Sequence, residues 1–269
     1  MAQVSKYLAH QKLDVAQATV LPSFLDPSQE LSATSVDWSP LAVQSVQPLA
    51  LDGTHAEAMS LASMAAVELL DVQPTMRVLD VCAAPGMKSL YLKMRQPTAD
   101  LVSNDLSFDR LKRLERLFAA HDMPAETLKS DARFLSSQLP AASFDRILLD
   151  APCSGEGLIM CGDDKQAEAW SPAKVKRLQQ LQVRILKSAW QLLKPGGRLV
   201  YSTCTLNLNE NERAIRKATG IQVKTQTAPL QLDALPTLKH GQAWRIQPSQ
   251  NSIGFFIAVL EWPVSYLGD

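Results

Sequence analysis

The chain has 269 residues, 46% of them hydrophobic, enough for one large domain or for a domain with an appendage. Its formal net charge is zero, which excludes a uniformly basic nucleic-acid binder and confines any basic surface to a local patch. No run approaches the roughly 18 apolar residues of a membrane span. Met1 to Val20 has no signal-peptide core, so a cytoplasmic protein is expected, with no membrane association. In that compartment the four cysteines, Cys82, Cys153, Cys161 and Cys204, are free thiols; their spacing contains no CxxC pair, and no metal is expected.

Residues 1–52 are broken by Pro22, Pro27, Pro40 and Pro48, with at best a short strand at Val43–Val46. They read as a short N-terminal extension, a candidate RNA-facing segment, ahead of a domain at 53–269. Residues 57–70 are rich in good helix formers. From Arg77 strands and helices alternate: strand 77–81, helix 87–96, strand 100–104, helix 107–120, strand 126–129, strand 144–149, helix 172–193, strand 197–203, helix 209–218, then late strands at 243–246 and 253–260. Such alternation with short loops predicts a mostly parallel sheet, here of seven strands, with helices on both faces. In the long helix Val175, Leu178, Leu181, Ile185, Ala189 and Leu192 recur at helical spacing as a core stripe, with Lys174, Arg177, Arg184 and Lys187 opposite. Between Pro172 and Arg198 there are seven basic residues and no acid: a solvated face, or a surface that tracks phosphates.

Loops at the carboxyl ends of parallel strands converge on one crevice. The loop Cys82-Ala-Ala-Pro-Gly86 follows the first such strand and opens a helix, an arrangement suited to a nucleotide cofactor. It lacks GxGxxG, which disfavours a dinucleotide. Asp105 ends the next strand, where an acid can accept from ribose hydroxyls, and Asp131 follows the one after, where it could meet an adenine. A ribose and an adenine without phosphate fit S-adenosylmethionine. Two more loops each deliver a cysteine, Cys153 in Asp150-Ala-Pro-Cys-Ser-Gly155 and Cys204 in Ser202-Thr-Cys-Thr205. Two thiols in one crevice suggest that one attacks and the other assists; chemistry alone does not rank them.

These segments, with Val78–Lys88, Asn104–Leu111, Ser130–Arg133, Phe144–Gly157, Trp170-Ser-Pro172, Leu193–Thr205, Asn209-Glu-Asn-Glu212 and Gly254-Phe-Phe256, resemble the Sun-domain (Nol/Nop/Sun) family of RNA cytosine-5 methyltransferases over about residues 54–262. The resemblance implies a Rossmann-like class I methyltransferase fold. It also implies methyl transfer from S-adenosylmethionine to C5 of a cytosine in structured RNA, ribosomal or transfer, through a covalent adduct at C6. Matched by position, it implies cofactor contacts from Cys82, Ala83, Ala84, Pro85, Gly86, Met87 and Lys88, ribose contact by Asp105 supported by Arg110, and adenine-side contact by Asp131. Attack falls to Cys204 and product release to Cys153. Asp150 would meet both the cofactor site and the cytosine edge, and Lys88 would supply positive charge near the thiolate. One departure is Met87, where the family has a second glycine. The chain is expected to act as a monomer on RNA, with a protein partner as an aid to recognition. A non-catalytic RNA or assembly platform, and a DNA cytosine methyltransferase that attacks through Cys153, are the competing readings.

Overall fold

The structure, a computed structural model, describes residues 49–51, 55–57, 59–124, 126–229, 238–248 and 253–263. The expected strand at Val43–Val46 lies outside them. Strands β1 (Leu49–Leu51) and β2 (His55–Glu57) pair antiparallel, Leu51 opposite His55. The sheet that follows has eight strands among the described residues: β3 (Arg77–Asp80), β4 (Asp100–Asp105), β5 (Glu126–Lys129), β6 (Phe144–Asp150), β7 (Leu193–Thr203), β8 (Lys224–Pro229), β9 (Gln242–Gln247) and β10 (Phe255–Glu261). Their order is β5-β4-β3-β6-β7-β10-β9-β8. All neighbours run parallel except β10, which is antiparallel to both β7 and β9.

The eighth strand is the addition to the expected seven. β8 is a polar edge segment, Lys-Thr-Gln-Thr-Ala-Pro, that carries no apolar alternation and takes its place by pairing with β9. β7 begins four residues before the predicted start because Lys194–Gly197 form a bulge rather than a free turn. Its register against β6 jumps from Phe144–Leu193 to Arg146–Arg198, and Gly196 and Gly197 exchange backbone hydrogen bonds with Trp262.

The central strands are apolar throughout because alternate residues feed two cores. Val78, Leu101, Leu148, Val200, Ile257 and Val259 face one layer, with helices α1 (Leu61–Glu68), α2 (Met87–Arg95) and α3 (Phe108–Ala120). Leu79, Val102, Ile147, Leu149, Leu199, Tyr201, Phe256 and Ala258 face the other. Two short helices follow β6, α4 (Glu156–Ile159) and α5 (Asp164–Ala169); then come the long α6 (Pro172–Leu192) and α7 (Glu212–Thr219). α6 starts where Ser171 caps the Lys174 amide and Pro172 takes the first turn, where a missing N–H costs nothing.

The stripe of α6 departs from its expected composition. Val175, Ile185, Ala189 and Leu192 are buried as read, but Leu178 and Leu181 are half-buried, and Gln179 and Gln182 occupy the buried positions. The basic run also divides: Lys176, Arg177, Arg184 and Lys187 are exposed, whereas Lys194 pairs with Asp145 and Arg198 with Glu261 in the sheet. Among the described residues no helix is long and apolar enough to cross a membrane.

Candidate active site

The chain runs β3, β4, β5 toward one edge and then returns to β6 on the other side of β3. The carboxyl ends of β3 and β6 therefore flank the switch point, where crevices form in such sheets. A cleft of about 270 Å³ opens there. It is lined by Asp80, the loop Cys82–Pro85, Met87, Lys88 and Asp150, with Met59, Ser60 and Ser63 closing it from the start of α1. The α1 contribution had no signal in the sequence beyond a helix-capping serine. Met87 reaches the cleft while its side chain packs on the core beneath α2, so the departure from the family pattern is accommodated in the fold.

Gly86 caps α2 in a left-handed conformation, φ 119°. A Cβ on it would stand 3.1 Å from Leu114 and Leu117 of α3, so glycine serves helix packing here as well as the turn. The loop is fixed from β4: the Ala83 amide donates to the Asn104 carbonyl and the Asn104 side chain donates to the Val81 carbonyl. Arg110 donates to the Ala84 carbonyl and pairs with Asp105 at 3.4 Å. Asp105 is buried and also accepts from the Ser107 amide. Asp131 caps the short 3-10 helix Ala132–Ser137 and pairs with Arg133 at 2.5 Å, whose hydrogen bonds hold its carboxyl below the usual range. Asp105, Arg110 and Asp131 thus stand along the edge of β4 and β5, beside the cleft rather than in its wall.

Asp80, which the sequence marks only as a strand end, is 1% exposed. One oxygen accepts from Ser89 at 2.6 Å and the other has no partner among the described residues. Burial pushes its carboxyl up to about 7, against the pull of Ser89 and with the push of the Asp150 charge. A buried carboxylate oxygen left open toward a cleft suits a cationic ligand group.

Lys88 and Asp150 face each other at 2.8 Å, and the second oxygen of Asp150 accepts from Ser202 at 2.7 Å. Burial works against the Lys88 charge, but the charge and hydrogen bond of Asp150 outweigh it and raise the ammonium above its ordinary range. Beside this pair the two cysteines meet, with Cys153 and Cys204 sulfurs 3.1 Å apart and both half-buried. Hydrogen bonding to Cys204, then burial, then the charges of Cys204 and Glu210 drive the Cys153 thiol well above its usual range. Cys82 is also pushed up, first by burial and then by the charges of Asp80 and Asp105, which leaves it a wall of the cleft and no nucleophile. Cys161 lies apart, in the loop after α4.

The cysteine loops are also joined by buried carboxylates and close backbone contacts. Glu156 is 3% exposed and accepts from both Trp170 (3.0 Å) and Asn207 (2.9 Å). This ties the Trp170-Ser-Pro172 segment and the loop after Cys204 to the start of α4. The Gly157 amide donates to the Cys204 carbonyl. A Cβ on Gly157 would fall 1.9 Å from the Gly254 carbonyl oxygen, so this backbone approach tolerates only glycine. Glu210 is fully buried; its carboxylate accepts from the Ser154 amide, the Ser154 hydroxyl and Gln182.

Known proteins are similar to this chain over the domain that carries the cleft and both cysteines. The family described as 16S rRNA methyltransferase RsmB/F matches residues 67–261. Ribosomal RNA small subunit methyltransferase B of Shewanella oneidensis is 36% identical over 218 residues, 79% of this chain and 49% of the relative. Ribosomal RNA small subunit methyltransferase F of Klebsiella pneumoniae is 40% identical over 165 residues, 60% of this chain and 33% of the relative. Among solved structures, NSun6 from Pyrococcus horikoshii with SFG superposes with a TM-score of 0.64 at 26% identity, covering 77% of this chain and 53% of that one. A methyltransferase homologue from the same organism gives 0.61 at 29%, covering 76% and 67%. The chain spans about half the length of the curated relatives it matches best. The Rossmann-like fold and the resemblance read from the motifs are both borne out, and this chain belongs to the RsmB/F family of 16S rRNA methyltransferases.

Proposed function

We propose that the chain methylates C5 of a cytosine in structured RNA, with S-adenosylmethionine as donor and a covalent adduct on Cys204. The relatives' names favour ribosomal over transfer RNA. The observation that carries the reading is the 3.1 Å contact of Cys153 and Cys204, delivered by adjacent parallel strands next to the Lys88–Asp150 pair and the cleft.

The residues fit the cofactor. Asp80's open carboxylate oxygen suits its ammonium, the Ala83–Lys88 loop forms the wall, and Asp105 with Arg110 and Asp131 stand in turn where a ribose and an adenine would extend. When bound, S-adenosylmethionine supplies an electrophilic methyl group. The protein's task is to make C5 nucleophilic. Cys204 adds its sulfur lone pair to C6, and the displaced π electrons move to C5. Asp150 stabilises this adduct by meeting the N3/N4 edge of the base, and Lys88 fixes Asp150 while adding positive charge beside the thiolate. Removal of the C5 proton restores the C5–C6 double bond and expels Cys204, a step assigned to Cys153. The base must leave its stack to enter. RNA beyond it would meet the exposed Lys176, Arg177, Arg184 and Lys187 of α6, aided by parts of a longer protein or by a partner.

The test is incubation with unmodified RNA and methyl-labelled cofactor, followed by nucleoside analysis. Labelled 5-methylcytosine is expected, with a loss of roughly 10⁴-fold or more in Cys204→Ala. Cofactor binding without transfer to any RNA would contradict the reading in favour of a platform; transfer to DNA instead, through Cys153, would contradict it in favour of a DNA enzyme.

A further inference from the structure

Two similar thiols in contact pose a problem of selection: one must be a thiolate while its neighbour is not. They share one proton, and the groups around them differ. Cys153 is gripped on both sides by one buried device. Gln182, projecting from α6, spends both amide hydrogens, one on the Pro152 carbonyl just before Cys153 and one on Glu210, each at 2.9 Å. Glu210 accepts from the Ser154 amide just after Cys153 at 2.9 Å and from the Ser154 hydroxyl. Thr205, next to Cys204, contacts that hydroxyl at 3.0 Å and accepts from the Asn207 amide, so the same chain of donors reaches the second cysteine loop. Tyr201 fixes Glu210 in turn by donating to its carbonyl at 2.6 Å. Every partner of the Glu210 carboxylate donates, which favours its ionised form against the burial that pushes the carboxyl above its ordinary range.

From this geometry we infer that Glu210 is a positioning residue that selects the nucleophile: it anchors the Cys153 loop and keeps the shared proton on Cys153, leaving Cys204 as the thiolate. The inference rests on the proposed function. Its electrostatics agree with the geometry. The Glu210 charge adds to the contact with Cys204 and to burial in holding the Cys153 thiol up, whereas the ammonium beside Cys204 is Lys88, already paired with Asp150.

The selection reverses itself at the right moment. Once the lone pair of Cys204 forms the bond to C6, its sulfur is a thioether that neither carries charge nor draws the Cys153 proton. The hydrogen bond and the charge of Cys204, two of the causes of the raised Cys153 thiol, are then gone, and with burial and Glu210 alone opposing it the thiol can lose its proton to water. The Cys153 thiolate then takes the C5 proton; the C5–H electrons form the C5–C6 double bond, and the C6–S electrons return to Cys204. The products are a Cys153 thiol and a Cys204 thiolate, the starting state, with one proton released to solvent per methyl transferred.

The test needs no RNA. Wild type, Glu210→Gln and Glu210→Asp are treated briefly with iodoacetamide at neutral pH, and each cysteine peptide is quantified by mass spectrometry. Wild type should label Cys204 in preference to Cys153. Glu210→Gln, which keeps the shape and loses the charge, should lower the Cys204-to-Cys153 ratio about tenfold, one pKa unit of lost bias; Glu210→Asp should keep it. An unchanged ratio in Glu210→Gln, or equal losses in the Gln and Asp variants, overturns the inference. If Glu210→Gln loosens the fold, reported by new labelling of Cys82, wild type decides alone: Cys153 labelled as fast as Cys204 overturns it. A protein that sorts its thiols in this way yet methylates no RNA overturns the proposed function and leaves the sorting intact.

Discussion

On the side of the cleft proposed for the cofactor, the loops after β3, β4 and β5 are held by backbone contacts and by two ion pairs, Asp105–Arg110 and Asp131–Arg133, whose arginines lie open to solvent (54% and 36% exposed). On the cysteine side, the loops after β6 and β7 are held by Glu156 and Glu210, carboxylates almost without solvent contact that accept from Trp170 and Asn207 and from Ser154 and Gln182. The contrast follows from what each side must do. A cofactor arrives and leaves, and exposed pairs yield at small cost. Two sulfurs must be held at one separation, and a buried hydrogen-bonded network is rigid because breaking one member strands the others.

The comparison predicts that disturbance of the cysteine side costs most. Gly157→Ala should lower methyl transfer about 100-fold, the scale of an ångström-sized misplacement of reacting groups, and should destabilise the fold by about 1–3 kcal/mol in denaturant unfolding. Its Cβ collides with backbone, which cannot swing aside. Cofactor affinity should change far less; an equal loss of both would break the division between the two sides.

Asp80 lies between them and gives an intermediate effect. Its folded pKa of about 7 exceeds the ordinary 3.8, so it binds its proton more tightly when folded. The stability it contributes is full below about pH 4 and is lost as pH rises through about 7. Asp80→Asn should therefore be more stable than wild type above pH 7, by roughly 2–4 kcal/mol in denaturant titrations, and similar near pH 4. Because the ionised form attracts a cation, wild-type affinity for S-adenosylmethionine should rise through about pH 7, and that rise should disappear in Asp80→Asn. A pH-independent affinity in calorimetry would remove Asp80 from the ammonium site.

The smallest effect belongs to the cofactor edge. Arg110→Ala removes an exposed guanidinium and should cost less than about 1 kcal/mol of stability, while weakening cofactor binding several-fold through Asp105 and the Ala84 carbonyl. A large drop in melting temperature would show that this edge is as rigid as the other.

The same division governs what could be read from the chain itself. Central strands that feed two cores carry short apolar stretches such as Val78-Leu79, Leu101-Val102, Ile147-Leu-Leu149 and Leu199-Val-Tyr201, and the loops after β6 and β7 carry cysteines, so β3, β4, β6 and β7 and both cysteines are legible in the sequence. Asp105 and Asp131, proposed for the cofactor, are legible as acids after successive strands. Glu210, Gln182 and Glu156 are not, although Asn209-Glu-Asn-Glu212 is part of the family resemblance. Their role depends on burial, and a Glu or Gln in a sequence looks like surface; on α6 helical spacing selected Leu178 and Leu181 where Gln179 and Gln182 are buried. β8 was missed because an edge strand paired on one side needs no apolar pattern.

The central claim is that Cys204 attacks and Cys153 releases. It is tested most directly by incubating wild type, Cys153→Ala and Cys153→Ala/Cys204→Ala with S-adenosylmethionine and unmodified RNA, then resolving the products under denaturing conditions. A protein–RNA band that accumulates in Cys153→Ala and is absent from the double variant is the predicted result. A band that persists without Cys204, or that never forms in Cys153→Ala despite demonstrated cofactor binding, would contradict it.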